Sequence, residues 1–117
     1  MKPHKLLIAT AALLIAGGAN AACSYPKRVD VPNGKLATKD EMVEGQKAVK
    51  DYMTAMNEYL DCIEAETEAA KSDEQDESIA AQRDALLAKR YNAAVDEMEQ
   101  LAESFNVEVR AFSAQGE

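Results

Sequence analysis

Apolar residues recur at Met42, Val49, Met56 and Ile63, seven positions apart, and Tyr52, Met53, Tyr59 and Leu60 fill the steps of three and four between them. Residues three and four apart share one face of an α-helix, so this run predicts one amphipathic stripe. Lys47, Lys50, Asp51, Glu58 and Asp61 fall mostly on the other side. The stripe fades after Ile63, and residues 72–78 are all polar, which predicts a turn. A second run, Leu87, Tyr91, Ala94, Met98, Leu101, Phe105, Val109 and Phe112, has the same habit and is flanked by Leu86, Val95 and Ala102. No Pro or Gly interrupts the chain between Gln46 and Gln115.

The ends of these elements carry their own signals. Thr38-Lys39-Asp40-Glu41 is a T-x-x-E capping box, and its acids suit the positive end of a helix dipole. Ser72 with Gln75, or Asp73 or Asp76, can cap the second helix. The predicted helices span about 38–71 and 73–111, within a helical unit covering 38–117. Similar lengths and a short polar connection make the expected fold all-α, an antiparallel two-helix hairpin of coiled-coil-like pattern. A turn centred near 73–75 sets Met42 against Phe105 and Val109, Tyr52 against Met98, and Ile63 against Leu86 or Leu87.

Residues 22–37 lack helical periodicity and read as an extended arm, because Pro26 and Pro32 fix φ and push their predecessors toward extended backbone. Pro32-Asn33-Gly34 is a turn signal, with Pro suited to its second position and Asn or Gly tolerating positive φ.

The first 21 residues read as an address. Lys2, His4 and Lys5 precede the apolar run Leu6 to Ala16, and Gly17-Gly18-Ala19-Asn20-Ala21 ends in an A-x-A cleavage pattern. The apolar run is too short to span a bilayer, which needs about 20 residues. The expected mature chain is Ala22–Glu117, in the periplasm or secreted, with no integral membrane segment once the signal is removed. Two other readings stay open: a retained membrane anchor, and a lipoprotein acylated on Cys23. Asn20 stands where a lipobox carries a large aliphatic residue, which weighs against the second.

Composition narrows the chemistry. The 117 residues carry 13 basic and 21 acidic side chains, net −8, and include 22 Ala and no Trp. Cleavage after Ala21 removes two Lys and no acid, leaving 11 basic and 21 acidic side chains, net −10. That balance argues against a nucleic-acid binder, which needs clustered Lys and Arg on phosphate. The single His leaves with the leader. Ser-His-Asp and Cys-His catalysis and any His-containing zinc site are therefore outside the mature chain's inventory. No enzyme activity and no cofactor are expected.

The pattern Cys23…Pro26…Val31-Pro32-Asn33-Gly34…Ala37-Thr38…Glu41-Met42, with Tyr59-Leu60-Asp61-Cys62, Tyr91-Asn92-Ala93-Ala94-Val95 and Phe105-Asn106…Val109-Arg110-Ala111-Phe112, resembles a group of small exported bacterial α-helical proteins of uncharacterised function. The resemblance covers nearly the whole mature chain. It implies export and helices, and carries over no functional residue.

Cys23 and Cys62 are the most informative pair. An exported chain with an even Cys count normally forms disulfides in an oxidising compartment, and an intermolecular bond stays open beside the intramolecular one. Cys62 lies 24 residues past Thr38, about 36 Å along the first helix, while the residues from Cys23 to Thr38 stretch to about 50 Å. The arm can therefore run back along the hairpin, with Tyr25, Val29, Val31 and Leu36 covering the groove. In the chain-entropy model such a closure stabilises by about 4 kcal/mol. No C-x-x-C is present to favour a redox role.

Two further constellations have plain readings beside functional ones. Met42, Met53, Met56 and Met98 are the residue type of a thioether copper site, yet all four lie on stripes needed for packing. Residues 61–77 carry eight acids against Lys71, without EF-hand spacing or its Gly, and read as a solvated tip. The opposite end holds Lys27, Arg28, Lys35, Lys39, Lys47 and Lys50, so charge is distributed unevenly along the length.

The expected function is a non-catalytic protein-interaction or structural module of the bacterial envelope with an unknown protein partner. The alternatives are a periplasmic holdase-like chaperone and, behind it, a metal-binding protein. Two helices alone rarely bury enough surface to stand without help, so a homodimer is a further expectation if the arm does not suffice.

Overall fold

In a computed structural model describing residues 22–116, the chain forms two helices and an N-terminal arm, with no strand among the described residues. Helix α1 spans Lys39–Ser72 and α2 spans Glu77–Gln115, about 51 and 58 Å long at 1.5 Å per residue. They pack against each other as an antiparallel hairpin. The arm is extended and returns along the pair until Cys23 meets Cys62.

Local chemistry sets the boundaries. Thr38 Oγ1 accepts from the Glu41 amide, and a Glu41 carboxylate oxygen accepts from the Thr38 amide, which closes the capping box at both ends. Helix α1 runs to Ser72, with Asp73 as its C-cap. A start at 73 for the second helix is therefore corrected to Glu77. Residues 74–76 form the link: Glu74 accepts from the Asp76 amide, and Asp76, the observed cap, accepts from the Ser78 amide. At the other end α2 continues to Gln115 rather than stopping near 111, and the Gln115 side chain donates to the Gly34 carbonyl.

The core is asymmetric. On α1, Met42, Val49, Tyr52, Met56, Tyr59, Leu60 and Ile63 are buried; on α2, only Ala94 and Leu101. Met56, Ile63 and Leu101 are almost fully enclosed, each worth about 1.5–3 kcal/mol relative to exposure. Helix α1 is buried more deeply because the arm adds a third layer: Cys23, Val29 and Val31 pack onto the same cluster as Leu87, Tyr91, Val95, Met98 and Phe105.

The arm turn differs from the expected one. Asn33 is its first residue, its carbonyl accepting from the Leu36 and Ala37 amides and its side chain from the Lys35 amide. No described residue has positive φ, so Gly34 is not used for a left-handed backbone. Leu36 does not cover the groove. The turn at 34–36 directs it to solvent, 81% exposed, and Ala37 is buried in its stead.

Candidate functional site

The arm and its seat bring the chemistry-bearing residues together. Cys23 and Cys62 are joined, with Cα atoms 5.7 Å apart, within the usual range for a disulfide. Cys62 sits on the arm-facing side of α1 because it follows Tyr59 by three residues, one turn further along the same face. The Tyr25 ring meets the Tyr59 ring edge-on, centroids 5.0 Å apart. Arg90 of α2 donates to Tyr59 Oη at 3.3 Å and holds its guanidinium 5.8 Å from the same ring. One tyrosine thus joins arm, α1 and α2.

Further down the groove, Arg28 reaches Glu97 of α2 at 3.7 Å. The Pro32 ring lies over Gly45, where an added Cβ would come within 2.7 Å of the proline Cδ. Gly34 packs against the α2 backbone: its amide donates to a Glu108 carboxylate oxygen at 2.6 Å, and an added Cβ would lie 2.9 Å from the Phe112 nitrogen. Both glycines are demanded by close approach. The arm is fixed at its tip by a covalent bond and at its base by backbone contact.

Burial shapes the phenols of this seat. Desolvation pushes the Tyr52 hydroxyl above its ordinary pKa; the Glu97 carboxylate adds to the shift and Arg28 opposes it. Desolvation also raises Tyr25, helped by Tyr52, Glu97 and Tyr59. Tyr52 Oη is enclosed without a hydrogen-bond partner among the described groups.

Among the described residues, the three side chains that bring metal-donor atoms together are Cys23, Cys62 and Glu66. A Glu66 carboxylate oxygen lies 3.2 Å from Cys23 Sγ. A disulfide sulfur carries neither a proton nor a thiolate charge, so this is a contact rather than a hydrogen bond, and the oxidised trio is a poor ligand set. The methionines lie where packing needs them: Met42 and Met56 are buried, and Met53 and Met98 pack against the core.

The acidic tip is occupied by structural roles. Glu68 and Asp84 flank the Lys71 ammonium at 3.8 and 2.9 Å, and the hydrogen bond to Asp84 holds Lys71 above the usual lysine range. Glu74 pairs with Arg83, which also donates to the Ala70 carbonyl.

The arm fills only one of the two grooves between the helices. Glu66 touches the arm at Cys23, whereas Glu64 lies two residues earlier, about 200° around α1, and lines a hollow on the opposite groove with Asp84, Leu87, Ala88, Tyr91 and Asn92. A second hollow, about 210 Å³, sits toward the other end and is lined by Lys39, Met42, Val43, Gln46, Phe105, Val109 and Phe112. Val43 and Val109 remain 55% and 37% exposed there.

The cysteine pair was legible in the sequence, as was the pairing of Met42 with Phe105 and Val109 across a hollow. The contacts of Gly34, Gly45, Tyr25, Arg90 and Gln115 were not. Gly45 did leave a signal, since a glycine inside an amphipathic helix costs about 1 kcal/mol and calls for a close neighbour. The fold and site define a class in plain terms: a two-helix hairpin stapled by a disulfide to its own N-terminal arm. Comparison of the chain with protein-family models, curated proteins and solved structures finds no match to any of them.

Proposed function

We propose that this chain is an exported, non-catalytic module of the bacterial envelope that holds a rigid helical face toward a protein partner. One observation carries the reading: the arm is bonded into one groove and leaves the opposite groove open and apolar, with Val43 and Val109 exposed along it. A stapled arm stiffens the hairpin, and a stiff apolar face binds without a large ordering cost. The leader-like run at residues 1–21, which lies outside the described residues, supports export, as does an oxidised Cys pair. A Cys23 sulfur held in a disulfide is not available to carry a lipid, which favours a freely diffusing form over a lipoprotein.

The test is photocrosslinking in cells from benzoylphenylalanine placed at residue 43, 109 or 107. Position 107 is exposed but lies about 200° around α2 from 109. Adducts from 43 and 109, with none from 107, are expected; equal adducts from all three, or none, would overturn the reading. Intact mass of the exported form should give Ala22 as the first residue and no acyl group. The open groove also favours a second reading, a holdase for unfolded clients. That reading requires suppression of a denatured client's aggregation at near-stoichiometric amounts, which a module with one fixed partner does not give.

A further inference from the structure

We propose that Glu66 is a charge filter on the Cys23–Cys62 bond, slowing its opening by anionic thiols and favouring thiols carried beside a positive charge. Cys62 and Glu66 stand four residues apart, one turn along the same face of α1. From there a Glu66 carboxylate oxygen reaches to 3.2 Å from Cys23 Sγ. The two sulfurs and a Glu66 carboxylate oxygen all lie within 4.8 Å of one another. The cysteines are half-buried and Glu66 is exposed, so a thiol arriving from solvent meets the bond and the carboxylate together. Opening is an exchange reaction. A thiolate attacks one sulfur of the pair, a mixed disulfide forms, and the Cys23–Cys62 bond breaks with its electron pair on the other sulfur. That cysteine leaves as a thiolate and takes a proton from water. A second thiolate attacks the mixed disulfide, the reductant departs as its own disulfide, and the remaining cysteine is protonated in turn. Two thiols are oxidised and one cystine is reduced.

During the first attack the negative charge is shared by the incoming sulfur and the two protein sulfurs, and both of the latter lie beside the carboxylate. Glu66 therefore opposes the step whichever cysteine is attacked. A second negative group on the incoming thiol adds to the repulsion, and a positive one offsets it. The neighbouring charges leave this field in place. Glu58, Asp61 and Glu64 stand within four residues of Cys62 on α1. Arg83 and Arg90 of α2 share a hollow with Glu66. Arg83 is held by Glu74 at 3.5 Å and by the Ala70 carbonyl, and Arg90 by Tyr59 Oη. Among the described residues, Glu66 forms no ion pair with either. The arm's nearest cations, Lys27 and Arg28, follow Cys23 by four and five residues of extended chain. That is about 13 Å or more, beyond the screening distance of about 8 Å at physiological salt. Removal of the leader would add an α-amino group at Ala22, which is neutral above its ordinary pKa of about 7.7–8.0.

The experiment follows opening of the oxidised protein by three thiols of different charge: mercaptoethanesulfonate, mercaptoethanol and cysteamine. Rates are read at about pH 9, where an amine freed at Ala22 carries no charge beside the bond. For each thiol the Glu66→Gln rate is divided by the parent rate, which cancels that thiol's own reactivity. The ratio should be at least about fivefold for the sulfonate, the factor that a unit charge at about 4 Å exerts in water. It should fall to about twofold for mercaptoethanol and about one for cysteamine, and the three should converge at high salt. Glu64→Gln removes the same charge from the opposite groove and should give ratios near one with every thiol. Both sites are exposed, so the oxidised variants should keep the circular dichroism and Tm of the parent. Equal acceleration by all three thiols would show that Glu66 merely holds the arm in place, and would overturn the filter. Unchanged rates with every thiol would overturn it too. So would the same charge-ordered ratios from Glu64→Gln, which would assign the effect to net charge rather than to the Glu66 contact.

Discussion

The stretch of hairpin beneath the arm and the tip beyond Cys62 are made from the same two helices, yet they are held by different forces. Every buried residue of α1 lies between Met42 and Ile63, and both buried residues of α2, Ala94 and Leu101, lie in the matching stretch. Past Ile63 the helices continue in unbroken register for two more turns without burying one side chain. The tip is joined by Lys71–Asp84, Arg83–Glu74 and the Arg83 bond to Ala70, all at least partly open to water. Such pairs contribute little individually. Helix pairing alone therefore does not make a core here. The core appears where an extended third element closes one groove and covers the tyrosines and leucines that a single partner helix would leave half exposed.

Removing that third element should show the largest effect. Cys62→Ala, or reduction of the Cys23–Cys62 bond, should cost roughly 2–4 kcal/mol and lower Tm by about 8–25 °C. The arm should become protease-sensitive while the helical circular dichroism persists. Gly34→Ala tests the other fixed end. Its Cβ would drive into the α2 backbone at Glu108 and Phe112, so the turn must lift away, at a cost of about 1–3 kcal/mol measured by denaturant titration.

Tyr52→Phe acts within the arm-covered stretch and in the opposite direction. Deleting a buried hydroxyl that has no partner should leave stability unchanged or raise it by up to about 1 kcal/mol. The same variant sharpens the alkaline limit. Tyr25 and Tyr52 have raised folded-state pKa values, so their contribution is intact below about pH 10, where folded and unfolded phenols are both neutral. Above pH 10 the unfolded chain ionises first and stability falls; Lys71, raised from 10.5, works in the same direction and window. Melting curves between pH 9 and 11 should decline less steeply for Tyr52→Phe than for the parent chain. The smallest effect belongs to the tip: Lys71→Ala should move Tm by no more than about 2 °C, and less at high salt.

The hairpin was legible because its two stripes repeat at helical spacing, and because Thr38 and Glu41 announce a start. The staple was legible because only two cysteines exist and the chain between them is long enough to join them. The lateral fit of the arm was not. Whether Gly34 or Leu36 faces the groove depends on one hydrogen-bonded turn at Asn33, whose register no periodic pattern in the arm announces. Arg90 on Tyr59 and Gln115 on Gly34 join residues 31 and 81 positions apart, and no local pattern encodes such a pairing. The link between the helices was obscured for a different reason: several of its acids are competent caps, and only the geometry of residues 74–76 selects Asp76.

The central claim is that the stapled arm, rather than helix pairing, makes the core. Native-state amide hydrogen exchange of the oxidised and reduced protein tests it most directly, because each amide reports its own opening free energy. The account predicts strong protection from Met42 to Ile63 and from Ala94 to Leu101 in the oxidised protein, weak protection from Glu66 to Asp84, and a loss confined to the protected stretch on reduction. Equal protection along both helices, or exchange that does not change when the disulfide is reduced, would contradict it.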